Sequence, residues 1–230
     1  MTKDITKGAP SEVASFLEQV KKTPQAAAGT RGRLIFAMDA TASRQPSWDR
    51  ASHVQGEMFL EAEKLGGLDV QLVYYRGFGE CRASKWVSHP KDLLRLMTSV
   101  VCMAGRTQVG RVLRHAIKET ERKRVSALVF VGDCFEEDLD AVGHLAGRLG
   151  MLGVRTFIFQ EGDQPEASRA FGQICKLTQG AHCRFDTSSP DQLRQLLGAV
   201  ATYAAGGLPA LEAAGKRGHR GVRLLTSRLG

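Results

Sequence analysis

The chain has 230 residues, 43% of them hydrophobic, which suits one larger α/β domain with short tails and excludes bulk disorder. Residues 1–20 lack the uninterrupted apolar segment of a signal peptide. The stretch 196–211 is too short, too rich in Ala and Gly, and broken by Pro209, so it reads as a buried final helix plus a turn. A soluble, cytoplasmic protein is expected. Net charge is +8 with a pI near 9.5. Part of that excess sits after Gly215, where five Lys or Arg and no acid occur. Such a tail attracts RNA, DNA or an anionic surface, but no aromatic residues are interleaved with it to stack on bases.

In chain order, Ser11–Lys22 has the apolar spacing of a short helix (Val13, Phe16, Leu17, Val20) with Ser11 as its N-cap, and a linker follows to Gly32. Residues 33–39, RLIFAMD, form an apolar run ending at an acid, as in a strand buried on both faces. Trp48, Ala51, Val54, Met58, Ala62 and Leu65 recur every three or four residues and predict one helix, stopped by Gly66 and Gly67. Residues 69–77 predict a strand, and 81–88 an antiparallel edge strand behind it. Helices are predicted over 90–101 and 109–122, then a buried strand over 125–133 that again ends at an acid. A helix over 138–149, a strand over 154–160, a helix over 165–178, a strand over 181–186 and a helix over 190–205 complete the series. The alternation predicts an α/β fold with a doubly wound, mostly parallel six-stranded sheet, one antiparallel edge strand and helices on both faces.

In such sheets ligands bind beyond the carboxyl ends of the strands, where the strand order reverses. Asp39, Thr41 and Ser43 follow the first strand, Asp133 ends the central one, and Thr107 precedes the helix at Val109. Two carboxylates and three hydroxyls form an all-oxygen set suited to a hard cation, Mg²⁺ or Mn²⁺. The Asp-x-Thr-x-Ser spacing puts three side chains on alternate positions of an extended segment, aimed to one side. Singly, each residue is explained as an N-cap or turn former. Glu136, Glu137 and Asp138 read as acids at a helix N-terminus, and Glu161 and Asp163 as rim or turn residues. The cysteines (Cys81, Cys102, Cys134, Cys175, Cys183) form no CxxC pair and read as reduced core fillers, with Cys134 singled out because it follows Asp133.

The segments DATAS, GRTQVG and VFVGD resemble the three pieces of the metal-ion-dependent adhesion site (MIDAS) of von Willebrand factor A (VWA) domains, over roughly residues 33–205. The resemblance implies that Thr41 and Ser43 coordinate the metal directly, that Thr107 does so directly or through water, and that Asp39 and Asp133 act mainly through water. Thr41 stands where the family's usual pattern has serine and keeps the hydroxyl. The resemblance further implies a non-enzymatic module of intracellular bacterial type whose Mg²⁺ (Mn²⁺ or Ca²⁺ as alternatives) accepts a carboxylate from a partner protein, with adaptor or assembly roles beside AAA+ ATPase complexes. The expected organisation is an N-terminal helix and linker (1–30), the VWA domain (31–207) and a basic C-terminal tail (208–230).

Rival chemistries lack their residues. A dehalogenase-type phosphatase needs a second aspartate where Thr41 stands, and GxGxxG, Walker A and GxSxG sequences are absent. The six histidines fall in no spacing with a nucleophile. The alternative function is RNA binding through the basic surface and tail.

Overall fold

The computed structural model describes residues 31–63, 65–185, 190–217 and Leu225. The helix expected over Ser11–Lys22 and most of the basic tail lie outside the described residues. The strands are β1 (Gly32–Asp39), β2 (Leu68–Arg76), β3 (Glu80–Ala83), β4 (Ala127–Gly132), β5 (Arg155–Glu161) and β6 (Ala181–Phe185). They form one sheet in the order β3-β2-β1-β4-β5-β6, parallel throughout except for β3. The helices are α1 (Gln45–Val54), α2 (Gly56–Glu63), α3 (Pro90–Thr98), α4 (Val109–Arg122), α5 (Leu139–Met151), α6 (Pro165–Leu177) and α7 (Pro190–Lys216). The expected doubly wound α/β architecture is present.

Every residue of β1 is buried, and its alternation explains why. Leu34, Phe36 and Met38 pack into a core under α1, α2, α3 and α7, while Ile35 and Ala37 face the second core under α4, α5 and α6. Each large apolar side chain removed from water in this way contributes about 1.5–3 kcal/mol, so the two-faced sheet dominates stability.

Three boundaries differ from the sequence expectation. The single helix over 48–65 is divided between α1 and α2 at Gln55, whose buried side chain donates to Pro90 O (3.2 Å) and anchors the break to the next helix. The edge strand pairs only over Glu80–Ala83, with one further bridge between Val70 and Val87. Between them the Ser84 hydroxyl takes the Leu72 N–H (3.1 Å), and Trp86 turns inward, its indole donating to Glu119 (2.9 Å) beneath the Arg33 guanidinium at 3.8 Å. Helix α7 does not stop near Ala205 but runs to Lys216, through a kink where Gly207 has φ 69°. That left-handed glycine starts a second helical segment, and Pro209 is tolerated near its first turn. The α7 sequence has the length and apolarity of a membrane span, yet 61% of its apolar window is buried inside the fold, as in a core helix.

Candidate metal centre

The chain leaves β1 toward β2 on one side and later enters β4 on the other, so the strand order reverses between β1 and β4. Asp39 ends β1 and Asp133 follows β4 directly, so the two carboxylates flank this switch point. Asp39 is 1% exposed and continues the Ile35–Ala37 face; its register partner across the sheet is Tyr75 on β2. Its Oδ1 accepts the Thr41 N–H at 2.7 Å. Burial, followed by the charge of Asp133, pushes the Asp39 carboxyl above its ordinary range against the opposing pull of Thr41 and Arg44.

Thr41 is in extended conformation, but the chain then turns into a 3-10 turn over Ala42–Arg44 closed by Arg44 N–H to Thr41 O (2.9 Å). The extended alternation expected through Ser43 therefore ends at Thr41. Ser43 reaches the centre from the turn instead, where it lines the same cleft as Asp133.

Thr107 enters from a third loop and is 7% exposed. Its hydroxyl accepts the Glu136 N–H (2.9 Å) while its own N–H donates to the Glu136 carboxylate (3.3 Å), so the loops before α4 and after β4 are stapled together. The hydroxyl keeps its proton and a lone pair for another partner. This loop is placed by backbone contact: a Cβ on Gly105 would stand 2.2 Å from Gly77 O, an approach open only to glycine. Of the acids read as N-terminal to one helix, only Asp138 caps α5, through Ala141 N–H at 2.7 Å. Glu137 instead accepts Val109 N–H and Gly110 N–H (3.0 Å at Gly110) and caps α4.

The residue that sequence reasoning passed over is Arg44. It is 3% exposed and pairs through Nη1 with Glu161 (2.5 Å) and with Asp133 (3.6 Å). The Ser47 hydroxyl donates to the same Glu161 carboxylate. Glu161 is thus bound inward rather than left as a rim residue, and Arg44 is a fixed positive charge beside the two aspartates. Its Nε and Nη2 are buried without a hydrogen-bond partner. The sequence signal was an arginine at the end of one strand-end loop and a glutamate at the end of another strand. A cleft of about 630 Å³ opens outward from these groups, bounded further by Asp163, Arg184 and Gln192.

Whether these residues suit a divalent ion is decided by donor chemistry. Among the described residues no three His, Cys, Asp or Glu side chains are arranged to hold a metal. The hydroxyls of Thr41, Ser43 and Thr107 would have to complete the set, which selects for a hard cation. The Tyr75 hydroxyl is fully buried beside Asp39 without a hydrogen bond of normal geometry, and burial, then the Asp39 charge, push its pKa well above the ordinary value. A buried aspartate repelled by a second carboxylate is a centre short of positive charge, and Arg44 supplies only one. The set fits. Cys134 does not join it as a thiolate: burial, then the charge of Glu136, push its thiol up.

No family model matches the sequence, and no curated protein is similar to it. Solved structures are similar in three dimensions. A von Willebrand factor type A protein from Catenulispora acidiphila superposes with TM-score 0.59 at 11% identity, over 75% of this chain and 43% of that one. The VWA domain of SpRpn10 gives 0.54 at 14% identity, over 77% of this chain and 98% of that one. The fold is a VWA fold. Proximal thread matrix protein 1 from the mussel byssus, solved with zinc in its MIDAS motif, shares this VWA-type fold with TM-score 0.55 at 14% identity, over 77% of this chain and 49% of that one. The chain therefore spans less than half the length of two of these three proteins.

Proposed function

We propose that this chain is a non-enzymatic, metal-dependent protein-interaction module. The observation that supports the reading is that Asp39 and Asp133 flank the switch point of a VWA fold, with Thr41 and Ser43 on one turn after β1 and Thr107 on the loop before α4. In this reading Thr41 and Ser43 would hold Mg²⁺ by their hydroxyls, Thr107 would do so directly or through water, and Asp39 and Asp133 would act mainly through water. When bound, the ion supplies an electrophilic position for a carboxylate from a partner. Asp39 is held by the Thr41 N–H, and the Glu136 staple fixes Thr107. A reducing, cytoplasmic setting belongs to the same reading and rests on the sequence alone, which has an odd number of cysteines and no CxxC pair. The AAA+ ATPase complex as a partner class rests on the family resemblance alone.

Thermal melting with and without Mg²⁺ tests the reading. At a hundredfold excess over Kd, mass action stabilises the wild type by about 2.7 kcal/mol, and Asp39→Ala removes the increment. A wild-type Tm that ignores Mg²⁺, Mn²⁺ and Ca²⁺ alike would falsify it.

A further inference from the structure

Three large apolar side chains stand in water along one side of the candidate centre: Phe78 is 83% exposed, Val101 64% and Met103 49%. They come from two loops, and both are tied to the centre. Met103 N–H donates to Ala40 O at 2.9 Å, one residue from Asp39, and Arg76 holds Val101 O at 2.7 Å. The turn bearing Phe78 is fixed on both sides, by Arg106 N–H to Gly77 O (3.1 Å) and by Arg111 to Gly79 O (2.6 Å). A ring of this size normally gains about 1.5–3 kcal/mol by burial. Here the turn's carbonyls at Gly77 and Gly79 are hydrogen-bonded while the ring is held out.

The charges nearest the rim are mostly positive. Arg82, Arg106 and Arg111 are exposed and Arg76 is half-buried on the same side; of the acids there, Glu80 is shared between Arg76 and Arg82, Glu136 accepts the Thr107 N–H, and Asp49 accepts the Gln45 amide. Aromatic residues, Met and Arg are the types enriched where proteins meet proteins, and an apolar centre with a charged rim is the usual anatomy.

We infer that this rim is a docking surface for a protein segment in which an acidic side chain stands next to a bulky apolar one. The acid goes to the metal centre or the arginines, and the apolar neighbour packs on Phe78 and Met103. The destination of the acid rests on the metal reading above; the apolar contact does not.

The test uses the full chain and a phage-displayed library of random dodecapeptides, panned in Mg²⁺. The expected result is enrichment of sequences pairing Asp or Glu with Leu, Ile or Phe. A synthetic peptide of that sequence then binds Phe78→Ser roughly tenfold more weakly than wild type, and Phe78→Leu restores affinity. Phe78 is exposed, so both variants fold. Peptides that need Mg²⁺ yet bind Phe78→Ser and Met103→Ser as well as wild type overturn the docking surface and leave the metal reading standing. Peptides that depend on Phe78 but bind equally in EDTA leave the docking surface standing, send the acid to the arginines, and overturn only the ion as its destination. A selection without enriched acidic–apolar sequences, or Phe78-dependent binding of a random oligonucleotide in their place, overturns the inference.

Discussion

Replacing Arg44 with Met tests the electrostatic design of the centre most directly. The side chain is 3% exposed, and its partner Glu161 is only 12% exposed at the side chain. Methionine retains most of the packing, so the loss reports the charge. Removing one member of a buried pair typically costs about 3–5 kcal/mol, because the remaining charge stays desolvated. Glu161 keeps the Ser47 hydroxyl and lies at the end of β5, and Asp133 is 32% exposed and regains water easily. The lower end, about 3 kcal/mol, is therefore expected, or roughly 6–12 °C in Tm for a chain of this size. Urea titration followed by far-ultraviolet circular dichroism measures it. Adding Glu161→Gln to Arg44→Met recovers much of the loss, giving a coupling energy of roughly 1.5–3 kcal/mol in the double-mutant cycle. Arg44→Met also binds Mg²⁺ more tightly than wild type, since a cation no longer competes for Asp133. An Arg44→Met protein within 1 kcal/mol of wild type (about the scale of an exposed pair), or a cycle with no coupling, refutes the role of Arg44 as a buried counter-charge.

Two further expectations follow. Gly105→Ala forces the loop away from Gly77 O, costs about 1–3 kcal/mol in urea melts, and reduces the Mg²⁺-dependent rise in Tm by displacing Thr107. For Glu119, burial pushes the carboxyl up, but the Trp86 N–H and the charges of His115, Arg33 and Arg122 outweigh it and leave its pKa below the usual 4.5. A depressed folded-state pKa gives stability that is fully present above pH 4.5 and is lost as pH falls through the folded value. The stability difference between wild type and Glu119→Gln should shrink across that acid window; a constant difference from neutral pH down to pH 3 (roughly one unit below the unfolded pKa) contradicts the assignment.

The sheet was legible because β1, β4 and β5 are short apolar runs ended by polar residues, and such runs have few ways to be satisfied other than burial on two faces. The positions of Asp39, Thr107 and Asp133 at strand ends and loops around the switch point followed from the same runs, whereas Ser43, expected on an extended segment, lies in a 3-10 turn. Arg44 was not legible, since an arginine among small polar residues reads as exposed. What buries it is Glu161, brought across β4 from the far side of the switch point. The run through Ala205 to Leu211 misled in the opposite direction. Gly206, Gly207 and Pro209 are stop signals in isolation, but one left-handed glycine let the chain begin a second helical segment on the same core.

The contact between Gly77 and Gly105 joins two surfaces that a list of side chains would keep apart. Phe78 is one residue beyond the first glycine and Thr107 two beyond the second, with no side chain between the backbones to absorb a displacement. Pressure on the hairpin tip therefore arrives at Thr107 as backbone movement, and a change in the oxygens around Thr107 is passed back to the tip. A ligand on the proposed rim and an ion at the proposed centre would therefore bear on one another through this one pair of glycines.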